Sequence, residues 1–252
     1  MLKTLICLCW LSFAGSALGV ERPYLISGFD DVLRQAENTG LVKAALKILE
    51  ADKGYSGMPE LYQVVTQQEG KPHFSLVSAI SHWFDRRIES FLHNSRYPEH
   101  ERMLRNWLTE WSIESFKIAK ISEIIAKHGD RKFIVIFDNS DASLGLAKAL
   151  KTRFKDRIVA IYLRQVVAKE TPAEAQSFFT AFEIAVSEFI HDRLSLEDLT
   201  KVAESILKEE ERAALFPTYA LCPRDYRPCP TPHKDIVKLC LSVQSHVLSL
   251  CR

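Results

Sequence analysis

The sequence predicts a doubly wound α/β fold with a C-terminal helical extension that carries cysteines. Short apolar runs alternate with amphipathic segments between residues 24 and 163, the pattern of parallel strands joined by helical crossovers. Acidic or hydroxyl residues follow three of those runs, where open parallel sheets gather their chemistry. Cys222, Cys229, Cys240 and Cys251 are confined to the end of the chain.

Residues 1–19 read as a secretory signal peptide: Lys3 is the charged start, Leu5 to Phe13 the apolar run, and Ala17 and Gly19 the small residues before a cut ahead of Val20. A buried N-terminal helix or a membrane anchor is the competing reading, but the run is shorter than the roughly 20 residues a spanning helix needs. Export to the periplasm or the medium follows. Cleavage removes one of the 33 basic residues and none of the 32 acidic ones, which leaves a formal charge of zero. That balance gives no electrostatic basis for capturing nucleic acid. No second long apolar stretch follows, so the mature chain is expected to be soluble, with no transmembrane segment. Its length suits one α/β domain with an appendage.

The first predicted strand is Tyr24 to Ser27, ahead of the acidic pair Asp30 and Asp31. Leu41 to Glu50 has helical spacing, His73 to Val77 reads as a strand, and Ile80 to Leu92 as a helix. The helix Ser115 to His128 leads into the strongest strand, Lys132 to Phe137. A helix from Ser143 to Phe154 and a strand from Arg157 to Leu163 follow. The core domain is therefore expected over 20–167. Residues 168–215 read as a helical continuation, with helices Pro172 to Ile190 and Leu196 to Leu207; Ser195 and Asp198 are spaced as a capping box for the second. Residues 216–252 form the tail. Five prolines between Phe216 and Pro232 exclude regular structure there, and His233 to Leu250 returns to helical spacing through Ile236, Leu239, Cys240, Val243 and Val247.

Cys7 and Cys9 leave with the signal, so four cysteines remain for an oxidising compartment. Two disulfides are expected, in any of three pairings. A zinc site competes, although no pair has the close C-x2-C spacing.

Carboxylates on separate loops at one sheet edge suit a magnesium-dependent phosphoryl-transfer site when a hydroxyl and a lysine stand near: hard oxygen ligands hold the metal, and a cation neutralises the phosphate. Asp30, Ser78, Asp138 and Asp141 meet the first part of that description. A solvated rim, or helix capping by Asp138 and Asp141, explains the same residues. His82 beside Trp83 reads as a packed helix residue, and Arg105, Trp107 and Trp111 as core or pocket lining.

Order and spacing sharpen the choice. Ser27-Gly28-Phe29-Asp30-Asp31-Val32-Leu33-Arg34 resembles the Ser-Asp-Ile-Asp-Asp-Thr-Ile-Lys signature of the phosphatidate phosphatases found in fungal actin-patch proteins and many bacteria, which belong to the haloacid dehalogenase superfamily. Gly57 to Tyr62 is similar to the family's Gly-x-x-Glu-Leu-Tyr, and Leu76 to Trp83 to its Tyr-Val-Ser-Asn-Ser-Pro-Trp with one residue inserted. Leu104 to Trp107 resembles Leu-Arg-Asp-Trp, and Lys117 heads a Lys-Ile-x-x-Ile-x-x-Ile run. Phe133 to Ser140 and Arg157 to Arg164 match two further segments, so the resemblance spans about Ser27 to Val167.

The resemblance implies a haloacid-dehalogenase-like sheet and, position by position, roles for these residues. Asp30 would be the general acid/base and a magnesium ligand, Ser78 the phosphate-binding hydroxyl, and Lys117 the neutralising cation. Asp138 would hold the metal, with Asp141 as a second carboxylate. The nucleophile does not carry over, because Gly28 stands where the family's attacking aspartate would be, and without that carboxylate no aspartyl-phosphate can form. Val32, Phe137 and Ser143 also depart, replacing a threonine, a glycine and an aspartate. Two functions stay open: a phosphatase for a phosphorylated small molecule or lipid that uses a metal-activated water, and a non-catalytic module that keeps the phosphate cradle. A lipid ligand rests on the resemblance alone, since no basic amphipathic helix marks a membrane face. Phe137 pointing into the nucleophile's space would argue against a surviving metal site.

Overall fold

The computed structural model describes residues 22–36, 53–67, 74–110, 112–229 and 233–252. The signal peptide and the helix expected at Leu41 to Glu50 lie outside the described residues. Six strands form one sheet: β1 Tyr24–Ser27, β2 Phe74–Ser81, β3 His100–Arg105, β4 Phe133–Asp138, β5 Ile158–Arg164 and β6 Gln176–Phe178. Every pairing is parallel, and the strands lie in the order β3-β2-β1-β4-β5-β6. The chain therefore winds one way from β1 and the other way from β4. The carboxyl ends of those two strands are the switch point, where such sheets bind their ligands.

Alternation along the strands builds two cores. Tyr24 and Ile26 of β1, with Phe133, Val135 and Phe137 of β4, face the helices α3 (Ile113–Lys127) and α4 (Asp141–Arg153). Leu25, Ile134 and Ile136 point to the opposite face, against α1 (Met58–Thr66), α2 (Asp85–Asn94), α5 (Ala181–Ile190) and α6 (Leu196–Leu207). A short α7 (Arg212–Leu215) precedes the proline-rich segment, and α8 (Val237–Leu250) packs Cys240, Val243 and Val247 into the same core as Leu25. The chain beyond residue 167 is thus continuous with the sheet's own core.

The α/β class, the parallel sheet and the cysteine-bearing extension agree with the sequence. Among the pairings left open, Cys222 joins Cys251 and Cys229 joins Cys240. The capping box of α6 is present, with the Asp198 amide donating to Ser195 Oγ at 3.1 Å and the Ser195 amide donating to the Asp198 carboxylate at 3.1 Å.

Four expectations need correction. β3 was not anticipated: His100, Glu101, Arg102 and Arg105 are charged or titratable, and on a half-buried edge strand they hide the apolar alternation. The helix expected from Pro172 begins only at Ala181, because β6 precedes it and Thr180 caps it, closed by Glu183 in a second capping box. β2 runs on to Ser81, with a shift of register against β3 between Ser78 and Ser81, so the helix expected from Ile80 starts after a 3-10 turn, His82–Phe84. In that turn His82 is exposed rather than packed, its ring 5.8 Å from that of Trp83. Among the described residues, no helix is long and apolar enough to cross a membrane.

Candidate functional site

The site gathers where β1 and β4 end. Gly28 continues the ladder, its amide donating to Ile136 O at 2.8 Å. The chain then turns tightly: the amides of Leu33 and Arg34 both donate to Phe29 O, and that of Asp31 to Arg34 O at 2.7 Å. Asp31 sits in the left-handed region at φ 54°, which a short polar side chain tolerates better than most.

A Cβ at Gly28 would lie 2.8 Å from Phe137 Cδ1, 3.3 Å from Val32 Cγ2 and 3.4 Å from Phe137 Cε1. The Phe137 and Val32 side chains therefore close the space into which any side chain at position 28 would project. Phe137 is 1% exposed. Its other side meets Lys117 of α3, whose Nζ lies 4.6 Å from the ring centroid, a cation held against an aromatic face.

Asp30 accepts from Arg34 Nη2 at 2.7 Å and Nε at 3.2 Å, both at Oδ1. Burial pushes the Asp30 carboxyl up; Arg34 draws it down, and the charges of Asp31 and Asp138 push it up further. Asp138 Oδ1 accepts from the Ser140 amide at 2.8 Å and from Ser143 Oγ at 3.1 Å, so the carboxylate shapes the turn into α4, with Ser140 as the capping residue. Asp141 is the first residue of α4, and its side chain is outside the described residues. Lys117 is buried and makes no hydrogen bond to a described residue. Burial lowers its ammonium, which Asp138 and then Asp30 partly hold up. Ser78 lies within β2 rather than after it, buried, its Oγ accepting from the Ile80 amide at 3.2 Å.

Asp30, Asp138 and Lys117 are thus electrostatic neighbours, and Ser78 stands one strand away on β2. Among the described residues, no three His, Cys, Asp or Glu side chains are grouped to hold a metal ion.

Sequence reasoning missed the residues that bind the loop from outside. Asp31 Oδ1 accepts from Tyr219 OH at 2.7 Å, the Ala36 amide at 3.0 Å and Tyr55 OH at 3.4 Å. Burial, and after it the Asp31 charge, pushes both phenols up. Tyr219 belongs to the proline-rich tail, so no local pattern could have paired it with Asp31. The tail also donates the Leu221 amide to Val166 O at 3.1 Å, just beyond β5. Behind it, Arg164 at the end of β5 lies buried between Tyr55 and Phe178, 3.9 and 4.8 Å from their centroids. Asn139 braces the neighbouring loop, accepting from the Val166 amide at 3.0 Å and donating to Val167 O at 2.7 Å. Of these only the Asp30–Arg34 pair, four residues apart, carried a signal that local reading could have used.

A family model described as the catalytic domain of phosphatidate phosphatase APP1 matches residues 24–165. No curated protein and no solved structure matches the chain.

Proposed function

The chain belongs to the phosphatidate phosphatase family through its APP1-type catalytic domain, and on that footing we propose that it is an exported, catalytically silent member that binds a phosphomonoester of the phosphatidate class without hydrolysing it. The observation that carries this reading is the Phe137 ring against Gly28. Gly28 carries no carboxylate, and the buried Phe137 ring would lie 2.8 Å from any Cβ there, which supports a silent site.

The cradle supports binding. Lys117 is 7% exposed, its Nζ against the Phe137 ring and beside the charges of Asp138 and Asp30, and its ammonium can donate to a phosphate oxygen there. Asp30 lies at the same switch point, its carboxylate offset by the Arg34 guanidinium at 2.7 Å, which limits its repulsion of a phosphate. Magnesium is not part of the reading. Gly28 offers no ligand, one oxygen of Asp30 is engaged by Arg34 and one of Asp138 by Ser140 and Ser143, and among the described residues no three acidic, His or Cys side chains are grouped to hold an ion. Export is supported by the N-terminal signal pattern and by the two disulfides, which belong to an oxidising compartment.

Lys117→Met tests the cradle. Titrated with inorganic phosphate and with a short-chain phosphatidate, the natural chain is expected to bind both, and the variant to bind at least ten-fold more weakly. Its stability should be equal or higher, because a desolvated charge has been removed. That gain has a pH signature. The Lys117 ammonium is lowered in the fold, so its cost is largest where the unfolded lysine is fully charged, and it fades as pH rises towards 10.5, the ordinary lysine value. Equal binding by the variant would remove Lys117 from the site.

A further inference from the structure

Two of the most exposed large apolar side chains among the described residues follow neighbouring strands, at the same sheet edge as this site. Trp83, 65% exposed, lies in the turn after β2, and Leu108, 69% exposed, in the loop after β3. The strands pair, Ser81 with Arg105, and Trp107 Nε1 donates to Ala79 O at 2.9 Å, which ties the loop after β3 to the end of β2. β2 also adjoins β1, so both loops leave the sheet at the same carboxyl end as Gly28 and Asp30. Arg86 follows Trp83 by three residues, on the same side of a helical turn, and is exposed. Arg105 stacks over Trp107 at 5.9 Å, its Nε buried without a hydrogen-bond partner.

We infer that Trp83 and Leu108, flanked by Arg86 and Arg105, form a docking surface for an anionic lipid bilayer that seats the mouth of the site against the headgroups. The choice of a lipid rests on the reading above; the surface itself does not. An indole has an apolar body and a polar N–H, which suits the zone between headgroup and acyl chain. The exposed Arg86 guanidinium complements anionic headgroups, while Arg105, against Trp107, is partly offset by Glu110 of the same loop. A protein partner is disfavoured by size: two loop tips offer a few hundred Å² at most, short of the roughly 800 Å² per partner of a specific interface.

The test is co-sedimentation of the mature, disulfide-bonded chain with vesicles of phosphatidylcholine alone and of phosphatidylcholine with phosphatidylserine. The natural chain is expected to sediment with the second and little with the first. Trp83→Ala/Leu108→Ala should lose at least ten-fold in partition and Arg86→Glu a few-fold, with urea midpoints unchanged because all three side chains are exposed. Phosphatidylserine carries no phosphomonoester, so Lys117→Met should bind these vesicles as the natural chain does, and failure of the phosphate cradle would leave this result standing. The inference is overturned if the natural chain stays in the supernatant, or if the double variant sediments equally. It is overturned too if size-exclusion shows that the double substitution abolishes a dimer while vesicle binding persists.

Discussion

Gly28→Asp alone is expected to remain silent towards phosphomonoesters and to unfold more readily than the natural chain. The new side chain would begin 2.8 Å from Phe137 Cδ1, well inside ordinary contact, and the ring cannot swing away. It lies in the core layer of Val135, Leu146 and Ile161, with Lys117 against its face. Overpacking of this kind costs about 1–3 kcal/mol, readable as a lowered urea midpoint. Phe137→Gly is the needed companion, since glycine is what the family's pattern has before its metal-binding aspartate. Alone it leaves a cavity costing about 3–5 kcal/mol; combined with Gly28→Asp it should cost less than the two singles together, because each relieves the other's misfit. Phosphate release with magnesium supplied should then appear in the double variant and in neither single. Turnover by Gly28→Asp alone would show that the ring is no barrier.

Loss of the two disulfides should cost several kcal/mol and loosen the candidate site. The bridges close segments of 29 and 11 residues, worth about 3–4 and about 3 kcal/mol on the loop-entropy account. They anchor α8, which carries Val243 and Val247 in the core, and they fix the strand of tail that places Tyr219 on Asp31, three residues before Cys222. Urea unfolding with and without reductant measures the first effect. Amide exchange at residues 29–36 measures the second, with protection expected to fall on reduction. Unchanged protection would mean that the Asp31 turn holds without the tail.

What the sequence disclosed and what it concealed divide on physical lines. β1 and β4 were legible because central strands are apolar on both faces, and α6 because its capping box sits at its first turn. β3 and β6 were not: edge strands carry charge, and Pro172 looked like the start of a helix that Thr180 and Glu183 actually begin. At the site, Gly28 and Phe137 are 109 residues apart in sequence, and only the fold brings them together, the ring lying 2.8 Å from where a Cβ at Gly28 would be. The Tyr219–Asp31 bond spans 188 residues, and no reading of spacing reaches that far.

The measurement that decides most directly is phosphate release, with magnesium, from phosphatidate and from a generic phosphomonoester by a protein spanning residues 20–252, beside its Asp30→Asn variant. No release above buffer from either protein is the expected result. Magnesium-dependent release by the natural chain that Asp30→Asn abolishes would contradict it, and would make this a working phosphatase whose nucleophile is not an enzyme carboxylate at position 28.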